Sequence, residues 1–287
     1  MKILANPSAT MEILDKFGFS FKKKYGQNFL IDENTVRKIV KLSGVTKCDT
    51  VLEIGPGIGT MTQILSEEAG KVIAVEIDAK LIEVLEYTLS DRENVEIINR
   101  DILKCDLKEL SKDHNSGKGF RLVANLPYYI TTPIIMGLLE ENAAQGNSMI
   151  ESMTVMIQKE VASRINAKPG TKDYGALSLA VEYYTVPELL MDVSANVFIP
   201  RPNVDSSVIG LKIREKPPVK VKDESKMFSL IRAAFAQRRK TFVNSVSAVL
   251  GIDKDILRNA LVSIGRDENV RGEVLSLDEF AGITDIV

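Results

Sequence analysis

The chain has 287 residues, 45% hydrophobic and 26% charged, ordinary for a globular protein and enough for one large α/β domain with a small one appended. No apolar run reaches membrane-span length, the N-terminal MKILANPSATMEIL lacks a secretory signal's apolar core and cleavage site, and Cys48 and Cys105 suit neither a disulfide framework nor a metal site. Net charge is −2 but uneven: +4 over residues 21–50, −6 over 51–120, +7 over 201–250 and −4 over 251–287.

Asp32 is a plausible N-cap for a first helix carrying Val36, Ile39 and Val40 at helical spacing. Strand and helix patterns then alternate. Strands are predicted at Thr50–Ile54, Lys71–Glu76, Val95–Ile98, Arg121–Ala124, Met153–Ile157 and Ser207–Ile213. Between the first two, MTQILSEEA reads as a helix ended by Gly70. Asp78 caps AKLIEVLEYTL, and Thr132-Pro133 opens another helix. His114, in KDHNSGKG, reads as an exposed loop residue. The alternation implies a parallel sheet with helices on both faces.

At REKPPVKVKD (214–223) the pattern breaks into a linker, and everything after it is helical. Phe228, Ile231 and Phe235, then Phe242, Val246 and Val249, repeat at helical spacing until Gly251; Asp253 caps a helix ending at Gly265, and Ser276–Glu279 forms a capping box. The expected division is an α/β domain over 1–213 and a helical domain over 214–287.

Glu53-Ile-Gly55-Pro-Gly57-Ile-Gly59 lies between a strand and a helix, where glycines let backbone turn tightly and approach a ligand. Glu76 ends the next strand 21 residues after Gly55, the position at which nucleotide-binding α/β folds hold a ribose-binding carboxylate. The spacing G-x-G-x-G, with an acid two residues earlier, resembles methyltransferases rather than dinucleotide enzymes. Asp101, after the third strand, suits an acceptor for an adenine amine, and equally caps a turn.

The fourth strand runs into Asn125-Leu-Pro-Tyr128. An adenine amine is a poor nucleophile because its lone pair is delocalised into the ring. Two acceptors, the Asn125 side-chain carbonyl and the Leu126 backbone carbonyl, can hold both its N–H groups and favour a pyramidal nitrogen. Pro127 disfavours helix at Leu126 and helps keep that carbonyl turned outward, while Tyr128 offers a face for an extruded base. In isolation these four residues fit a strand-ending turn; after the fourth strand of a methyltransferase-like sheet, the catalytic reading is favoured.

With these motifs, Tyr25-Gly-Gln-Asn-Phe-Leu30, Gln158-Lys-Glu160, Tyr174-Gly-Ala-Leu-Ser178, Phe198-Ile-Pro-Arg-Pro-Asn-Val-Asp-Ser206 and Phe235-Ala-Gln-Arg-Arg-Lys-Thr241, the chain from about Lys22 onward resembles the ribosomal RNA adenine N6,N6-dimethyltransferase family. Tyr25 departs from it, where a smaller aliphatic residue is expected. The resemblance implies a Rossmann-like methyltransferase fold and S-adenosyl-L-methionine as cofactor, held by Asn28, Leu30, Glu53, Gly55, Gly57, Glu76, Asp101 and Asn125. It implies that Phe198, by composition an ordinary core aromatic, packs on the target base opposite Tyr128. The implied reaction puts two methyl groups on each of two adjacent adenosines in a hairpin near the 3′ end of small-subunit rRNA. The expected enzyme is a cytoplasmic monomer without a metal, acting on a pre-30S particle. Basic blocks around an acidic middle fit a phosphate-binding face, and fit solvated surface as well; Arg238, Arg239 and Lys240 are the candidate grip on rRNA phosphates. The rivals are a macrolide-resistance-type methyltransferase of large-subunit rRNA, a DNA adenine methyltransferase, a ribosome-assembly factor acting by binding, and, least of all, a dehydrogenase.

Overall fold

A computed structural model describes residues 3–19 and 26–287; Tyr25 and Lys22 lie outside them. Contacts divide the chain into two compact units, Met1–Ala162 with Pro187–Ile213, and Ser163–Val186 with Arg214–Val287.

The first unit opens with α1 (Pro7–Lys16), capped by Asn6, then the short strand β1 (Phe29–Leu30) and α2 (Glu33–Ser43). Asp32 caps α2 by accepting from Thr35 N at 2.8 Å, as its position predicts. Next come β2 (Thr50–Ile54), α3 (Thr60–Glu68), β3 (Lys71–Glu76), α4 (Ala79–Thr88), β4 (Val95–Asn99), α5 (Leu107–Asn115), β5 (Phe120–Asn125), α6 (Thr131–Ala144) and β6 (Ile150–Gln158). After α7 (Lys159–Ile165) and α8 (Ala176–Tyr184), the chain continues through β7 (Thr185–Val193), β8 (Phe198–Ile199) and β9 (Ser206–Ile213).

Seven strands form one sheet in the order β4-β3-β2-β5-β6-β9-β7. The first five run parallel, and β9 lies antiparallel to β6. Past their first residues, β2 and β3 are buried throughout, as expected of strands covered on both faces. Strand order reverses at β2, which has β3 on one side and β5 on the other. In such sheets the ligand crevice forms beyond the carboxyl ends of the strands at that switch point.

Three local expectations change. Proline 133 is the third residue of α6, still within the turn whose N–H groups have no intrahelical acceptor. His114 belongs to the last turn of α5, its Nδ1 2.6 Å from Glu96 Oε1, and is only partly exposed. Gly70 is not left-handed: α3 ends on Ala69 in extended backbone, and a Cβ at 70 would lie 2.4 Å from Lys47 O. Close backbone approach therefore demands that glycine. Gly70→Ala is expected to destabilise the protein by about 2 kcal/mol or more, measured by denaturant unfolding; an unchanged midpoint would refute the close approach.

The second unit corrects the single boundary expected at 213/214. Residues 163–186 group with α9 (Glu224–Ala236), α10 (Phe242–Leu250), α11 (Lys254–Ser263) and α12 (Leu277–Ile286). The cause is α8, which buries Leu177, Leu179, Val181, Tyr183 and Tyr184. Tyr184 stacks on Phe228 at 5.4 Å, and the Tyr183 and Tyr184 hydroxyls both donate to the Glu224 carboxylate. Two of the motifs also meet here. The Tyr174 ring is fully buried, edge-on to Phe235 at 6.0 Å, and Arg238 Nη2 donates to Tyr174 O at 2.6 Å. Val249, expected on the core stripe, is 49% exposed.

Candidate active site

Beyond the carboxyl ends of β2, β3, β4 and β5 lies an open cleft. Asn28, Leu30, Glu53, Gly55, Gly57, Glu76, Asp101, Asn125, Leu126, Pro127 and Tyr128 all line it, so residues up to 100 positions apart meet on one surface. Topology does this: each strand ends at the same edge of the sheet and hands its last residues to the crevice.

The loop after β2 turns through positive φ at Gly55, Gly57 and Gly59. Gly57 is the most constrained, because a Cβ there would meet the Phe29 ring at 2.8 Å. The Glu76 carboxylate fastens this loop, accepting from Gly57 N at 3.3 Å and Asp78 N at 2.8 Å. Asp101 Oδ1 caps the 3-10 turn Ile102–Lys104 by accepting from Leu103 N, and the residue also lines the cleft.

One buried polar atom on this wall, Thr60 Oγ1, has no hydrogen-bond partner among the described residues, an arrangement proteins seldom tolerate without a ligand or water to satisfy it. Burial pushes the Glu53 carboxyl up to about 8 and the Glu76 carboxyl up to about 7. A raised folded value means that the stability each contributes is complete below about pH 4.5 and lost as pH climbs through 7 to 8. Glu53→Gln has no proton to lose. It is expected to stabilise the ligand-free protein at pH 8 by on the order of 3 kcal/mol, with a much smaller gain at pH 5. Denaturant unfolding at both values measures this, and an equal gain at both would contradict it.

Asn125 is oriented without ambiguity. Its amide faces Asn28 O at 3.2 Å, and a carbonyl oxygen can only accept, so the atom presented there is Nδ2. Oδ1 is left with no donor among the described residues. Leu126 N donates to Met156 O at 3.1 Å, whereas the Leu126 carbonyl takes no backbone hydrogen bond among the described residues. Two acceptors thus stand adjacent and uncommitted. Tyr128 is half-buried, its hydroxyl 2.6 Å from Ser206 Oγ, and burial raises its pKa, keeping it a neutral phenol.

One expectation needs correction. Phe198 is not on the cleft wall. It pairs with Leu30 across the β1–β8 ladder, is 2% exposed, and packs in the apolar cluster with Val36, Met61, Met156 and Val208; burying its ring beside those side chains outweighs display to solvent. Arg238, Arg239 and Lys240 are exposed in the turn between α9 and α10, but Arg238 is engaged with the Tyr174 and Lys172 carbonyls. Sequence reasoning missed Gln27, whose Nε2 donates to Asp78 Oδ2 at 3.2 Å on the cleft's N-terminal side, and Ser206. Both lie inside quoted motifs, the only sign they carry.

A family model described as ribosomal RNA adenine dimethylase matches residues 18–277. A protein of Lachnoclostridium phytofermentans named ribosomal RNA small subunit methyltransferase A is 52% identical over 100% of this chain and 98% of its own. One of Alkaliphilus metalliredigens with the same name is 50% identical over 99% and 98%. Among solved structures, a dimethyladenosine transferase from Plasmodium falciparum superposes with TM-score 0.70 at 24% identity, covering 89% of this chain and 95% of that one. The 23S rRNA methyltransferase ErmE gives 0.65 at 25%, covering 89% and 98%.

Proposed function

Because the chain belongs to the ribosomal RNA adenine dimethylase family, we propose that it dimethylates the exocyclic amines of two adjacent adenosines in the 3′-terminal hairpin of small-subunit rRNA, using S-adenosyl-L-methionine. The observation that carries the reading is the Asn125–Leu126 acceptor pair at the mouth of a carboxylate-lined cleft.

The cleft suits this cofactor. Among the described residues, Glu53, Glu76 and Asp101 line it beside Arg100; carboxyls that ionise when a cation approaches suit a ligand bearing sulfonium and ammonium charges and disfavour a pyrophosphate. Glu76 would accept from ribose hydroxyls and Asp101 from the adenine amine. The glycine loop, Asn28 and Leu30 would bring backbone and apolar surface alongside. When bound, the cofactor supplies an electrophilic methyl group.

The chain's own task is then positioning and electrostatics. Asn125 Oδ1 and the Leu126 carbonyl accept the two N–H groups of the target amine and turn its lone pair out of conjugation. Pro127 holds that carbonyl outward, and Tyr128 stacks the extruded base. Phe198, buried behind Leu30, supports the wall rather than touching the base. No general base is required, since the alkylated amine is acidic enough to release its proton to water.

Relatives named for the small subunit, at 50–52% identity, support that substrate over the large-subunit alternative, for which the similarity is 25%. The partner proposed is the rRNA of a pre-30S particle, met in the cytoplasm by a monomer; no helix of the described residues is long and apolar enough to cross a membrane. The test is incubation with labelled cofactor and unmethylated small subunits, followed by mass-spectrometric mapping. Dimethylation of two neighbouring adenosines near the 3′ end is expected, and label in large-subunit rRNA would favour the rival.

RNA hairpins are read by shape and phosphates, so docking needs a wider surface than the base pocket. Arg239 and Lys240 are proposed as phosphate contacts, with Arg238 holding their turn through Tyr174 O. Changing Arg239 and Lys240 to Gln is expected to flatten the salt dependence of subunit binding by up to about one log unit per contact, with cofactor affinity unchanged. Normal binding at every salt concentration would leave them as solvated surface.

A further inference from the structure

We infer that Ser206 is a positioning residue for the target base, its hydroxyl setting the direction in which the Tyr128 ring projects. The inference rests on the reading of Tyr128 as the stacking platform.

Tyr128 leaves β5 on a turn closed by Pro127 O, which accepts from Ile130 N at 3.2 Å and Thr131 Oγ1 at 3.0 Å. That turn fixes the Cα but leaves χ1 free to swing a half-buried ring between staggered positions. The far end of the side chain is tied by the 2.6 Å hydrogen bond to Ser206 Oγ. With Cα and Oη both held, χ1 has one value. Because a phenolic O–H favours the plane of its ring, the same bond also biases the tilt.

The anchor itself is rigid. Ser206 is fully buried at the start of β9 and pairs with Gln158 of β6. Lys159 N donates to the preceding carbonyl of Asp205 at 3.0 Å, and Asp205 Oδ1 accepts from Ala195 N at 2.9 Å. On the following residue, Ser207 Oγ donates to Asp192 Oδ1 at 2.7 Å, whose other oxygen holds Lys159 Nζ. Such a scaffold delivers a hydroxyl to one point in space, which is what a preorganised platform requires. A hydroxyl that merely satisfied a half-buried phenol would need no such framing, because water could serve.

The test is a double-mutant cycle read as single-turnover rate at saturating cofactor and small subunits, with cofactor affinity measured separately. Tyr128→Phe keeps the stacking face and loses the tie; Ser206→Ala keeps the phenol and loses the anchor. Each is expected to slow transfer roughly three- to tenfold, with cofactor affinity unchanged, and the double variant to be no slower than either single. A double variant slowed by the product of the two effects would overturn the inference, since Ser206 would then act by another route. Single variants at the wild-type rate, alongside a slow Tyr128→Ala, would overturn it while leaving the platform reading intact. Normal turnover by Tyr128→Ala would remove the platform and the inference together.

Discussion

Asn125→Ala is expected to slow methyl transfer by roughly two to three orders of magnitude at saturating cofactor, the range seen when one preorganised polar contact to a reacting centre is deleted. The ground-state cost should be small, because the Asn125 amide makes one hydrogen bond to a backbone carbonyl, at 3.2 Å. Single-turnover rates with labelled cofactor measure the first effect and thermal melts the second. Asn125→Asp should recover only part of the loss. It retains an acceptor toward the base but sets an oxygen against Asn28 O, where a donor now stands. A near-normal rate for Asn125→Ala would mean the amine is not held as proposed.

The second large effect is on cofactor affinity. Glu76→Ala is expected to weaken S-adenosylmethionine binding about tenfold to hundredfold, the penalty of a hydrogen bond lost to a charged group. Wild-type affinity should also climb as pH rises through about 7, because burial holds part of the Glu76 population protonated in the free protein and only the carboxylate can accept from both ribose hydroxyls. A cationic ligand pulls such carboxyls back down, so binding near neutral pH should release protons, and its calorimetric enthalpy should vary with the buffer. Glu76→Gln should keep only the share of this dependence owed to Glu53. Affinity unaltered by either substitution would take Glu76 out of the site.

Much of this cleft could be read from sequence because its residues announce themselves locally. Glu53 to Gly59 follow an apolar strand, Glu76 closes the next one, and Asn125 to Tyr128 end another, so topology alone brings them together. What escaped has physical reasons. The strands β1 and β8 are two residues each, too short for any period to register, and Phe198 takes its place from that pairing. Helix α8, ALSLAVEYY, buries residues on nearly every side and so lacks the amphipathic rhythm that marks a helix at a surface. In α5 a signal was present, Asp106 capping Glu109 N with Leu107 and Leu110 buried, but the polar run through Gly117 hid it. Beyond its place in a quoted motif, Ser206 carried no sign of its role, since nothing in a serine's neighbours reveals a phenol 78 positions away.

The discontinuous second unit bears on how the chain is made. Residues 163–186 leave the ribosome before the segment that covers them, with α9 following roughly 40 residues later, or a few seconds at ordinary rates of synthesis. Through that interval Tyr183 and Tyr184 have no Phe228 or Glu224 to pack against. A nascent chain stalled after Ile213 should therefore be a ready client for a holdase chaperone, and one released there should aggregate rather than yield a free catalytic domain.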